Sequence, residues 1–230
     1  MPTTASVSPP PLRDGDRLSS HEFMRRWEAM PDLKHAELID GIVHMPSPIL
    51  QVHGTFDFLL SSWLTYYVTA TRGCGASGEA TWLMFPDNVP QPDMALMILP
   101  EYGGQSSVER GYATGAPELI IEISVTTAAK DSGVKLRLYE RAGVREYLIV
   151  QPRKQRLTWK HLAENKYREI EAGTDGLLKS RVFPGLWLDP VSLWNDDLPG
   201  LAATVQRGLA TAEHADFVAD LSQRKSQPRS

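Results

Sequence analysis

Two acids in strand-like settings stand out as groups that call for a counter-charge, a hydrogen bond or a bound cation. Asp93 follows Pro92 at the mouth of the apolar run 94–99, and Glu122 sits inside Glu118-Leu119-Ile120-Ile121-Glu122-Ile123-Ser124. A carboxylate within a strand otherwise built of Leu and Ile is costly unless it is paired, hydrogen-bonded or bound to a cation. Strand alternation puts Glu118, Ile120, Glu122 and Ser124 on one face and leaves Leu119, Ile121 and Ile123 to pack on the other. The third group is Lys135, on a helical stripe with Asp131, Leu138, Tyr139 and Ala142, where its ammonium can reach over the end of a sheet. Taken singly, each has a plainer role. Glu122 can be a buried structural acid, and Lys135 can pair with Asp131 at i,i+4 or lay its stem over the core.

The elements that must position these groups follow from periodicity. Ser19-Ser20 caps a short helix carrying Phe23, Met24 and Trp27, and Asp40-Gly41 between two apolar runs in 36–45 is the local code for a tight hairpin. Leu50, Phe56, Leu59, Leu60, Trp63, Leu64 and Tyr67 recur at helical spacing and predict the longest helix over 49–70. Short strands are predicted at 82–85, 94–99, 119–123, 146–150 and 156–162, with a surface loop over 101–116. A helix over 131–142, stopped by Gly143, lies between two of these strands, and strand, helix, strand with short links predicts a parallel crossover in a mixed sheet. Residues 166–170 and 177–187 would add edge strands, and 201–221 reads as helix. The expected class is α/β, divided into a flexible leader (1–16), one domain (17–200) and a C-terminal helix with a polar tail (201–230).

Several other chemistries lack their minimum parts. Gly73-Cys74-Gly75-Ala76-Ser77-Gly78 spells the dinucleotide fingerprint but follows a helix and precedes a strand, the reverse of the context that motif needs, so it reads as a flexible turn. His35-Ala36-Glu37 has no P-C-x-x-C to complete a deaminase zinc site. There is no P-loop, H-E-x-x-H or G-x-S-x-G. A chain of 230 residues needs no metal or disulfide to hold its core, and its single Cys74 fits a reducing, cytoplasmic setting. No stretch reaches the roughly eighteen consecutive apolar residues of a membrane span. The net charge is -4, yet 130–160 holds nine basic residues against three acids, a polarity that suits a face meeting phosphate backbone.

Taken together, Glu37-Leu38-Ile39-Asp40-Gly41, Met45-Pro46-Ser47-Pro48, His53, Pro92-Asp93, the string from Glu118 to Ser124, Asp131, Lys135, Tyr139 and Ala142-Gly143-Val144-Arg145-Glu146-Tyr147 closely resemble the Uma2 family, within the PD-(D/E)XK nuclease superfamily. The match runs in order from about residue 19 to 195. The resemblance implies a restriction-endonuclease-like core, a Mg²⁺-dependent site in which Mn²⁺ substitutes, DNA as substrate and often a homodimer. By it, Asp93 and Glu122 correspond to the metal-holding acids, with the Ile123 main-chain carbonyl beside them. Ser124 stands where the commonest form of the motif has its lysine, and Lys135 from the helix takes that place. Glu37 matches the acid of the family's first motif and completes the metal shell or orients water. His53, Ser124, Tyr139 and Arg137 are the expected substrate-side residues. The departure at Ser124 and the acidic total leave a second reading open, a nuclease-like fold that binds nucleic acid or a protein partner without cutting. A third, more distant one is hydrolysis of a small phosphate ester.

Overall fold

The computed structural model describes residues 8–45, 48–84, 86–125 and 131–226, with the side chains of residues 131 and 132 left aside. Pro46 and Ser47 of the family-like motif, Phe85 of a predicted strand and Lys130 of the basic stretch lie outside the described residues.

Helix α1 (Ser20–Glu28) starts where Ser19 Oγ accepts the Glu22 N–H at 3.3 Å. It packs Phe23 into a small core with Leu38, Val43 and Val89. Strands β1 (Glu37–Ile39) and β2 (Ile42–His44) form the predicted hairpin, with Asp40 at φ 50° and Gly41 at φ 74°. Two successive positive φ values are what an Asp-Gly type I′ turn supplies. The expectation of a flexible leader does not hold for residues 8–16: Leu12 is buried in the same small core, and the Gly15 N–H donates to the Val43 carbonyl at 2.9 Å. Residues 1–7 lie outside the described residues.

Helix α2 (Gln51–Ala70) buries Phe56, Leu59, Leu60, Trp63, Leu64 and Tyr67, the stripe read from its periodicity. Next comes β3 (Cys74–Gly78), so the glycine-rich motif is not a turn but the edge strand of the main sheet. Gly, Ala and Ser give no hydrophobic alternation for a sequence to display. The main sheet runs β11–β10–β9–β8–β5–β3, with β5 (Met94–Ile98), β8 (Leu119–Ile123), β9 (Glu146–Gln151), β10 (Arg156–Ala163) and β11 (Lys166–Glu169). Within it β8 and β9 run parallel, with the predicted helix between them in the chain. That helix opens with a π-helical turn (Asp131–Lys135) before α3 (Leu136–Ala142). Apolar spacing over a single turn cannot separate i+4 from i+5, which is why the π turn is not legible in the sequence.

Two layers cover the sheet. Leu119, Ile121 and Ile123 face α2, whereas Ile120 packs with Leu138 and Tyr139 of α3, dividing β8 as its alternation predicts. The expected loop over 101–116 contains β6 (Ser107–Glu109) and β7 (Tyr112–Thr114), which join β4 (Trp82–Leu83) in a separate sheet. Strands of three residues, one of them wholly exposed, carry too little pattern to be read. Residues 177–187 do not extend the main sheet either, because β12 (Leu178–Lys179) and β13 (Trp187–Leu188) pair with each other. Helices α4 (Pro190–Trp194), α5 (Leu198–Leu209) and α6 (Ala212–Ser226) follow. α5 crosses the expected boundary at 200, and Leu201, Val205 and Leu221 share one core with α2, so the C-terminal helices are part of the domain.

Candidate active site

The β5–β8 ladder pairs Met94 with Ile121, so Asp93 is next in register opposite Glu122. Asp93 stands just before β5 begins, and its side chain substitutes for the missing ladder partner. Its Oδ2 accepts the Ile123 N–H at 2.5 Å. Its Oδ1 lies 3.1 Å from His53 Nε2 on α2, a bond that raises the His53 pKa against the opposing effect of burial. The N–H and C=O of a strand residue point to the same side, so the Ile123 carbonyl is directed to the Asp93 side of β8.

On the α3 face, Glu122 Oε1 accepts from Lys135 Nζ at 2.8 Å and from Tyr139 Oη at 2.8 Å. The same ammonium lies 2.8 Å from Glu37 Oε1, which also accepts the Gln91 N–H at 3.1 Å. The side chains of Lys135 and Glu122 are each 6% exposed, so these charges are almost wholly removed from water and each depends on the others. Burial, and then the charge of Glu122, push the Tyr139 phenol well above its ordinary value, so it stays a proton donor to that carboxylate.

Two further acids surround Asp93. Burial raises the Asp57 carboxyl, the Asp93 charge adds to the effect, His53 opposes it and Glu79 reinforces it. The Glu79 N–H donates to the Asp93 carbonyl at 3.1 Å. Neither acid stands out in the sequence reading, although Asp57 lies at i+4 from His53 on one helix, a signal that was available. Gln91 and His44 escape it too, His44 being the hairpin partner of Glu37.

Of the residues expected to form a site, Glu37, Glu122, Lys135 and Tyr139 are joined directly, and Asp93 with His53 is tied to the same strand end through Ile123. Ser124 is buried, and its Oγ has no hydrogen-bond partner among the described residues. Arg137 is exposed on α3. Lys135 pairs with acids from a neighbouring strand and a distant hairpin; the side chain of Asp131, its alternative partner, lies outside the described residues.

Among the described residues no three His, Cys, Asp or Glu side chains gather as a complete ligand set. The donors present nonetheless fit a hard divalent cation. They are carboxylate oxygens and a main-chain carbonyl, and such an ion takes one or two carboxylates and leaves its other positions to water and phosphate. A carboxylate offers about four lone-pair sites, of which the two contacts to Asp93 occupy two. At the same end of the sheet the Ser124 N–H donates to the Val150 carbonyl at 2.7 Å, and β9 then turns through Pro152–Lys154. This places the exposed Arg153, Lys154 and Arg156 beside the strand end that carries the acids.

The chain matches the model of the Uma2 family, described as "Putative restriction endonuclease", over residues 21–191. Its structure is similar to that of "a putative nuclease belonging to DUF820" from Anabaena variabilis ATCC 29413, with a TM-score of 0.59 and 18% identity, covering 78% of this chain and 98% of the other. At that identity the likeness speaks for the fold, a mixed sheet flanked by helices of the restriction-endonuclease-like type. No curated protein matches the chain in sequence.

Proposed function

Since the chain belongs to the Uma2 family, we propose that it is an endonuclease that hydrolyses DNA phosphodiester bonds with a divalent cation, Mg²⁺ by preference and Mn²⁺ as a substitute. The observation that carries this reading is the position of Asp93, one step beyond the Met94–Ile121 pair and bonded to the Ile123 N–H, with the Lys135 ammonium 2.8 Å from Glu122. Asp93, Glu122 and the Ile123 carbonyl would hold the ion, which when bound polarises the scissile phosphate and acidifies a water.

The chain's own residues do the rest. His53 and the Ile123 N–H fix the Asp93 carboxylate, and Tyr139 with Lys135 fixes that of Glu122. Lys135 keeps a positive charge where negative charge develops on the phosphate, and Glu37 positions that ammonium from its other side. Ser124 has a hydroxyl to offer a phosphate oxygen. Arg137, Arg153, Lys154 and Arg156 are exposed cations suited to the flanking backbone. A cytoplasmic homodimer belongs to the same reading, and no helix among the described residues is long and apolar enough to cross a membrane.

The test is cleavage of plasmid and single-stranded DNA with Mg²⁺, Mn²⁺ or chelator, beside Glu122→Ala and Asp93→Ala proteins checked for folding by circular dichroism. Cation-dependent cleavage that both substitutions abolish is expected; unchanged cleavage in Glu122→Ala refutes the reading. One observation favours a second reading, a non-cutting nucleic-acid binder: Ser124 occupies the usual lysine position while Lys135 is held by two acids. DNA binding without nicking under every metal condition would select it.

A further inference from the structure

A pocket of about 470 Å³ is lined by Asp40 of the β1–β2 hairpin turn, Leu138 and Arg141 of α3, and Met84, Asp87 and Asn88. That volume lies within the range of small-ligand sites. Two of its walls belong to elements that carry the candidate site. Asp40 is three residues beyond Glu37 in the hairpin, and Leu138 is three beyond Lys135. A helical rise of 1.5 Å per residue sets Arg141 roughly 9 Å past Lys135. A strand rise of 3.3 Å, an upper bound because Asp40 lies in the turn, keeps Asp40 within roughly 10 Å of Glu37. The pocket therefore sits within about three stacked nucleotides, at 3.4 Å each, of where a scissile phosphate would lie.

The walls are pinned. The Asp40 N–H donates to Asn88 Oδ1 at 2.7 Å, the Gly41 N–H to the Asp87 carbonyl at 3.0 Å, and Asp87 Oδ1 accepts the Ser20 N–H at 3.1 Å. Met84 and Leu138 supply buried apolar surface. At the rim the Arg141 guanidinium bonds the Asp40 carboxylate, and both side chains are well exposed, so exchanging this partner for a ligand costs little.

Arg141 can only donate and Asp40, when ionised, can only accept. A ligand that engages both bidentately presents two acceptors on one edge and two donors on another. Among the DNA bases only guanine does so, with O6 and N7 for an arginine fork and N1–H and N2–H₂ for a carboxylate. We propose that this pocket receives an unstacked guanine of the nucleic-acid substrate, within about three nucleotides of the phosphate that is cut; the proposal rests on the nuclease reading above. Binding in the pocket sets base preference, while Asp93, Glu122 and Lys135 act on the phosphate.

The test uses the full chain without divalent cation. Saturation-transfer NMR titrations compare dGMP, dAMP, dCMP and TMP, and matched single-stranded oligonucleotides compare one guanine with one inosine, which lacks the N2 amine. Expected is dGMP binding at least about tenfold tighter than the others, with a weaker inosine oligonucleotide. The preference should vanish in Asp40→Asn, which tolerates the left-handed backbone, and in Arg141→Lys, which keeps the charge without the fork. Equal binding of the four nucleotides, a preference that survives both substitutions, or indifference to inosine overturns the proposal. Equal nucleotide binding by a protein that cleaves DNA removes the guanine pocket and leaves the nuclease standing. A guanine preference abolished by both substitutions in a protein that cuts nothing keeps the guanine site and removes the nuclease.

Discussion

Replacing Lys135 with Met keeps most of the stem and deletes the ammonium, a sharp test of how the acid cluster is held. The Glu37 and Glu122 oxygens each lie 2.8 Å from Nζ and so face one another at no more than about 5.6 Å, with side chains 12% and 6% exposed. Two like charges at that separation repel by roughly 3 kcal/mol at an effective dielectric of about 20. Breaking a buried pair by removing one partner costs about 3–5 kcal/mol in general, so the two figures agree. In a chain of this length 1 kcal/mol moves the Tm by about 2–4 °C, and Lys135→Met should melt roughly 6–20 °C below wild type at pH 7. The deficit should shrink at pH 5, where one carboxylate can take up a proton. Lys135→Met/Glu122→Gln should recover much of the stability, because the repulsion goes with the second charge. Urea and thermal unfolding of the three proteins at both pH values decide the matter. A single variant within about 1 kcal/mol of wild type, or a double variant no better than the single, would show that Lys135 is not the counter-charge of the cluster.

Glu146, buried in β9, accepts from Trp159 Nε1, Ser180 Oγ and the Arg181 and Val182 N–H groups at 2.6–3.2 Å, while burial raises its carboxyl from 4.5 to about 7. The folded chain then holds a proton that the unfolded chain releases between those values. The contribution is full below about pH 4.5 and fades as pH climbs through 7, by roughly 3 kcal/mol. Urea unfolding across that window should show this slope in wild type and a flatter one in Glu146→Gln; identical slopes would exclude Glu146 as its source. Substituting Arg153 and Lys154 with Ala should weaken DNA binding about equally for all sequences and lower the salt slope by about 1 for each cation that pairs with a phosphate. An unchanged slope would move the DNA path away from the β9–β10 turn.

The elements legible in the sequence were those whose burial is periodic. The α2 stripe from Phe56 to Tyr67 and the alternation along β8 each send apolar residues to one core, and both emerge as read. Legibility failed where burial comes from partners distant in sequence. β3 is a strand because β5 offers it a ladder, through small residues that carry no pattern of their own. Leu12 is buried because the β1–β2 hairpin lies beneath it, and α5 joins the core because α2 presents an apolar face to it. In each case the deciding neighbour is invisible to a window of local residues.

The site divides in the same way. An acid in an apolar strand has few fates, so Glu122 was conspicuous; that the Glu37 hairpin folds over it and shares one ammonium was not, since only tertiary packing joins the hairpin to α3. The result is a site with unequal halves. On the α3 side the charges of Glu37 and Glu122 are offset by Lys135. On the α2 side Asp93 stands with Asp57 and Glu79 against His53, and the Asp57 carboxyl is raised first by burial and then by the Asp93 charge. A divalent cation gains most where carboxylates lack counter-charge. On the nuclease reading proposed above, that asymmetry would let Asp93 and the Ile123 carbonyl hold a cation, with the Lys135 ammonium kept between Glu122 and Glu37.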